Sequence, residues 1–171
     1  MAEALAAQLV APAAEIAPAI PESVALGYHG CFGTLSGWPS RQPPDLAGSV
    51  ILLNAAVAAS CRRVDFLHLP RLGNADDAFF APLEQLRVPD AKVYLGAIHH
   101  MHDDAGLRRQ LQTARRHLAE FGLAAPCGFG RAPERPGRLL TVEGSAPPPN
   151  ILDIIVRDHL NAVELLHQAG G

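Results

Sequence analysis

Apolar and polar positions along the chain follow two different periods. Short apolar runs, the pattern of parallel strands covered on both faces, occur at residues 24–29, 63–69, 92–99 and 123–129. The fourth is the weakest, because Pro126 cannot donate to a ladder. Helical patterning fills the intervals. Residues 1–17 are Ala-rich, with Pro12 as an internal break or kink. Residues 45–60 follow Pro43-Pro44 and open on Asp45, a natural N-cap. Residues 76–86 place Asp76-Asp77 at the positive end of a shorter helix. Residues 103–121 give the clearest amphipathic pattern. Leu107, Leu111, Ala114 and Leu118 mark its buried stripe, Arg108, Arg109, Arg115 and Arg116 lie mainly outside, and Gly122 stops it. A last helix runs from Ile151 to about Gln168, capped by Asn150 with Asp153 at the capping-box position.

Strands separated by helices imply a parallel sheet with right-handed crossovers. The predicted fold class is therefore α/β: a leading helix, then parallel (βα) units, four strands each followed by a helix. Four units are half of a TIM-type (β/α)8 barrel. A whole barrel takes about 250 residues and at least about 200, so a chain of 171 does not close one alone. The alternatives are an open doubly wound sheet, a half-barrel that pairs with a second copy, or a fragment. Residues 1–131 are read as the partial barrel. Residues 132–149, with Pro133, Pro136 and Pro147-Pro148-Pro149, form a Pro-rich connection. Residues 150–171 are read as a C-terminal helix packing on the same domain. Open strand edges are a liability unless covered. They predict self-association or pairing with another half-barrel, or else the last helix folds over one edge.

Composition narrows the function classes. Fourteen basic against seventeen acidic residues give a net charge of −3, which favours neither nucleic acid nor an anionic membrane as partner. No apolar run approaches the roughly 18 residues of a membrane span. The first twenty residues carry only Glu3 and Glu15, where a secretory signal has a basic start. Three cysteines, Cys31, Cys61 and Cys127, cannot all pair internally. A cytoplasmic location with free or metal-bound thiols is the expectation.

The reactive side chains fall at the strand ends. His29 ends the first strand, with Cys31 two residues later. His68 ends the second, His99 and His100 end the third with His102 just after, and Cys127 ends the fourth. Parallel α/β folds gather ligand and catalytic groups at the carboxyl ends of their strands. Strand neighbours lie about 4.8 Å apart, close enough for these groups to converge. Imidazole with thiolate is a zinc donor set. His29 and Cys31 sit side by side, Cys127 adds a second sulfur, and a fourth donor is His68 or His99. Zinc there ionises a substrate thiol or activates a water.

The plainer alternatives are structural. A lone cysteine in an α/β core is usually a small buried hydrophobe, and a strand-end histidine is often only hydrogen-bonded. His68 also reads as a polar pocket residue, and His99 as a proton shuttle or a structural donor. His100 and His102 read as loop residues; His117, His159 and His167 read as surface or packing residues on helices. Cys61 has no role assigned. The glycines of residues 27–33 lack dinucleotide or P-loop spacing, and no Gly-x-Ser-x-Gly elbow occurs.

Three segments carry a resemblance. Leu26-Gly27-Tyr28-His29-Gly30-Cys31-Phe32-Gly33 resembles the His-x-Cys-Tyr segment of cobalamin-independent methionine synthases. Ala97-Ile98-His99-His100 resembles their Asp-Ile-His-Ser segment, and Pro126-Cys127-Gly128-Phe129-Gly130-Arg131 their Asp-Cys-Gly-Leu-Lys-Thr-Arg segment. Order and spacing agree over residues 2–131. The closer likeness is to short relatives of that catalytic domain, in the superfamily shared with uroporphyrinogen decarboxylase. The resemblance implies half of a TIM barrel, a zinc site at its top face, and methyl transfer from a methyl-folate to the thiol of homocysteine. It matches His29, Cys31 and Cys127 to zinc ligands and His99 to a proton-handling histidine. The family's Glu ligand has no counterpart in Phe66-Leu67-His68-Leu69-Pro70. Either His68 substitutes or the zinc is lost.

The expected function is thus zinc-assisted methyl transfer to a homocysteine-like thiol in a truncated or divergent member. Its partners are a small-molecule thiol and a methyl donor. One rival is a metal-free decarboxylase or lyase pocket, whose histidines bind carboxylates or act as acids. The other is a non-catalytic half-barrel acting by association.

Overall fold

The computed structural model describes residues 2–33, 41–72, 75–88, 90–98, 104–125 and 151–168. Four short strands, β1 (Gly27–His29), β2 (Phe66–Pro70), β3 (Lys92–Gly96) and β4 (Gly122–Ala124), form one parallel sheet in chain order. Helix α1 (Ala2–Ile16) precedes β1, and α2 (Ala47–Ala59) follows it. After β2 comes α3 (Asp77–Phe80), continued as a 3-10 turn over Ala81–Gln85. Helix α4 (Asp104–Arg115) follows β3, and α5 (Ile151–Gln168) follows β4. This is the α/β arrangement of half a (β/α)8 barrel, as the sequence pattern predicts. No helix among the described residues is long and apolar enough to cross a membrane.

The two-residue period of the strands divides the sheet into two faces. Leu67, Leu69, Val93 and Leu95 share one core with Leu46, Val50 and Leu53 of the α2 segment, Phe79 and Phe80 of α3, and Leu107 and Leu111 of α4. The opposite face carries Phe66, His68, Lys92 and Tyr94 at the alternate positions. There Phe66 remains 38 % exposed. A Cβ on Gly27 would stand 2.3 Å from the Phe66 ring, and one on Gly122 2.5 Å from the Tyr94 ring. Each ring therefore lies over a glycine of the next strand, and the two rings meet edge to face at 6.2 Å.

Several elements are shorter than the hydrophobic pattern predicts. Strand β1 covers only the last half of residues 24–29. The guanidinium of Arg62, its side chain 2 % exposed, donates to the carbonyls of Ile20, Pro21 and Val24. Part of that stretch is thus satisfied by a side chain rather than by a neighbouring strand. Asp65 does the same from the other side, its carboxylate accepting from the amide of Leu26 at 2.8 Å. Pro82 lacks an amide hydrogen, so the α3 segment tightens into a 3-10 turn instead of continuing to residue 86. Helix α4 stops at Arg115, not 121. Its last amides fold back to i−3 carbonyls, Arg116 to Thr113 and His117 to Ala114. Pro12 lies inside α1 without breaking it. Asp76 caps α3, accepting from the amide of Phe79 at 2.9 Å, whereas the N-cap of α2 is Leu46 and the expected cap Asp45, one residue upstream, accepts from the amide of Ala47 at 2.8 Å. Asn150 and the connection 132–149 lie outside the described residues.

Cys61 follows α2 with φ = 50°, the left-handed conformation that glycine adopts without strain. Cys61→Gly should raise the unfolding free energy by about 0.5–1 kcal/mol. Urea melts of the two chains check this; an unchanged or lowered midpoint would show that the thiol makes a compensating contact.

Helix α5 is fastened to α4. Arg115 donates to the carbonyl of Leu166 at 2.9 Å, Arg108 pairs with Gln168, and Asn161 donates to Asp104. Ala162 and Leu165 of α5 are buried in the core.

Candidate functional site

The register sets His29, the last residue of β1, directly beside His68 of β2. Both occupy alternate positions that face away from the helix-covered core. Just upstream, Tyr28 points the other way, and its hydroxyl lies 2.6 Å from Ser60 Oγ. Ser60 Oγ already donates to the carbonyl of Ala56, so Tyr28 is the donor. That bond ties β1 to the end of α2 and fixes the backbone from which His29 projects. The amide of Gly30 donates to the carbonyl of His68 at 2.8 Å, holding the start of the next loop against β2.

The two rings approach to a centroid distance of 4.6 Å, tilted by 36°, with Nδ1 to Nδ1 at 2.9 Å. A nitrogen pair at that separation needs one proton and one lone pair, so the two imidazoles hold complementary tautomers. Burial pushes His68 down to about 4, with the neighbouring His29 adding a smaller push. Partial burial also lowers His29. At neutral pH both rings are uncharged. His68 Nε2 is buried and has no partner among the described residues.

Cys31 lies two residues beyond His29, exposed and not in a disulfide. Its sulfur accepts from the amide of Gly33 at 3.1 Å, and Gly33 turns the chain with φ = 83°. His99 and Cys127 lie outside the described residues, as do His100 and His102. Of the five residues proposed from sequence, the structure brings His29 and His68 into contact and sets Cys31 on the loop after β1.

The donor geometry can be tested against zinc. Tetrahedral ligands at about 2.0–2.1 Å stand roughly 3.3 Å apart, whereas the two Nδ1 atoms are 2.9 Å apart and share a proton. No group of three His, Cys, Asp or Glu among the described residues is placed to hold an ion. The described residues supply a hydrogen-bonded imidazole pair, and two of the candidate donors, His99 and Cys127, lie outside them.

Two further residues stand out that sequence reasoning missed. Arg71, one position past β2, is 1 % exposed. It donates from Nη2 to the carbonyl of Ala97 at 2.9 Å and from Nη1 to that of Leu72 at 3.3 Å. Burial lowers its pKa to about 9, which leaves it charged at neutral pH. The only trace of it in the sequence is a charged residue inside the apolar stretch Leu69-Pro70-Arg71-Leu72. His117, read as a packing residue, bridges two carboxylates. Its Nδ1 lies 2.6 Å from Glu84 and its Nε2 3.0 Å from Asp77, which Arg116 also contacts at 3.2 Å. The Glu84 bond, then the Asp77 bond, raise the pKa of His117 against the opposing effect of burial.

The sign of the His117 effect follows directly. A raised folded-state pKa stabilises the protein below the unfolded value and loses that contribution as pH rises through the folded one. His117→Gln should cost up to about 1 kcal/mol near pH 6, less what solvent screens, and little in alkaline solution. Parallel urea midpoints for the two chains across that range would count against the clamp.

A cleft of about 370 Å³ lies at the other end of the sheet, lined by Asp90, Lys92, Tyr94, Glu120, Phe121 and Gly122. Parallel sheets do not usually place chemistry at the amino ends of their strands.

The fold and this edge define a (βα) half-barrel with an imidazole pair at the carboxyl end of its first two strands. No family model, no curated protein and no solved structure matches the chain.

Proposed function

We propose that the carboxyl edge of β1 and β2 is a metal-free acid–base pocket of the decarboxylase or lyase type. The observation that carries this is the Nδ1–Nδ1 bond of His29 and His68, with a buried and unpartnered Nε2 beyond it. Two neutral imidazoles joined in this way form a proton relay. When a carbon–carbon bond to a carboxylate breaks, the electron pair left on carbon takes the proton from His68 Nε2. His68 Nδ1 then receives the proton from His29 Nδ1, and His29 Nε2 takes one from water. Both rings end neutral with exchanged tautomers, and one solvent proton has moved to the substrate.

Small β-keto acids in deuterium oxide test the reading by proton NMR. The expected result is deuterium incorporated at the carbon that loses carbon dioxide, with His68→Gln reducing the rate about 100-fold or more. Equal rates in the two chains would end the proposal.

A second reading keeps one feature in its favour: His29 and Cys31 leave the same strand end, as the methionine-synthase-like segments imply. In that reading His29, Cys31 and Cys127 hold zinc, His99 handles protons, and a homocysteine-like thiol accepts a methyl group. Its signature is one zinc per chain, retained through dialysis against a weak chelator and lost in Cys31→Ser. We further propose that the open edges of β1 and β4 pair with a second copy. Light scattering should then give twice the chain mass, and a strictly monomeric mass would dismiss the pairing.

A further inference from the structure

We propose that Arg71 anchors an oxyanion, a carboxylate or a phosphate, at the carboxyl edge between β2 and β3. This names the substrate class of the pocket proposed above and rests on that reading for its link to the histidine pair.

The argument begins with an imbalance. A buried charge is costly unless it is paired. Among the described residues, only Ser60 and Arg71 are polar or charged and buried as whole residues. Ser60 has both of its hydrogen-bonding roles filled. Among the described residues Arg71 has two carbonyls and no carboxylate as partners, and its buried Nε has none.

A structural strap looks different in this same chain. Arg62, also buried along its side chain, holds three carbonyls of one segment and has Glu22 at 4.0 Å. A strap between the ends of β2 and β3 needs one or two donors. It does not need a full charge without a counter-ion. The planar guanidinium fork, by contrast, matches the two oxygens of a carboxylate or phosphate.

Position agrees with chemistry. Arg71 follows the last residue of β2, and its partner Ala97 follows the last residue of β3. Open parallel sheets bind their ligands at this edge. His68, three residues earlier at the same strand end, also carries an unpartnered buried nitrogen.

The test uses the full chain, with inorganic phosphate and succinate as probes and sodium chloride at matched ionic strength as control. The expected result is a saturable rise in Tm of about 5 °C with at least one of the two oxyanions. The anion that produces it identifies the group. Arg71→Met should abolish the rise and, without ligand, melt no lower than the parent, since an apolar replacement relieves a buried charge. No saturable rise, or the same rise in Arg71→Met, overturns the proposal and leaves an adventitious ion only. A ligand-free Arg71→Met that melts well below the parent also overturns it, in favour of a strap. If Arg71→Met does not fold, Arg71→Lys decides: loss of at least tenfold in affinity supports the fork, and parental affinity overturns it. His68→Gln keeps the two ideas apart. It should slow deuterium incorporation about 100-fold yet retain the anion-dependent rise, so either can fail alone.

Discussion

Leu95→Ala should unfold about 3 kcal/mol more easily than the parent chain, with a Tm lower by roughly 6–12 °C. Leu95 is fully buried in β3, which pairs on both sides. The register sets it between Leu69 of β2 and Leu123 of β4, on the face packed against the helices. Truncation removes three carbons from a layer with covering on every side, so the cavity cannot collapse cheaply. Tyr94→Ala, one residue away on the face with Phe66, should cost distinctly less despite removing a larger side chain. Urea denaturation of both variants measures the contrast. Equal costs would mean that the two faces of the sheet are equally covered.

The stability of the parent should fall between about pH 6.5 and pH 4 by about 1–2 kcal/mol after solvent screening, and His68→Gln should flatten that slope. Burial holds His68 neutral down to about 4, whereas in the unfolded chain it takes a proton near 6.5. The unfolded state binds more protons across this window, so acid favours unfolding. His29 adds to the slope in the same direction. Carboxylates act in a lower window. Asp65, held down by the Leu26 amide and then by the Arg63 and Arg62 charges, is also lowered. It loses its contribution only as pH falls through its depressed folded value. Urea midpoints at pH 7, 5.5 and 4.5 separate the two. Superimposable profiles for parent and variant would show that His68 is not desolvated.

The alternation of apolar runs and helical stripes made the sheet, its parallel sense and the half-barrel arrangement legible before any coordinates. It placed His29 and His68 at one edge because both end apolar runs. It could not show that they face each other in register, since register is set by how the loops close. The first strand is shorter than its apolar run for a specific reason: Arg62 takes the carbonyl of Val24 and Asp65 the amide of Leu26, both within that run. The end of α4 was overread because Leu118 and Phe121 keep packing after the helical bonds stop. Arg71 leaves only the trace of one charge among apolar neighbours, because its significance is the lack of a counter-ion among the described residues, which only packing can show. His117 was invisible because Asp77 and Glu84 are 40 and 33 residues away in the chain.

Among the described residues, each strand of the sheet hydrogen-bonds to the strands made just before and just after it. During synthesis on a ribosome, every new strand can add to the outer margin of what has already emerged. None must insert between two that are in place, so no early segment waits unpaired for a distant late one. Growth from the amino end is therefore open to this topology at each of the four described strands, β4 being the last of them to be added.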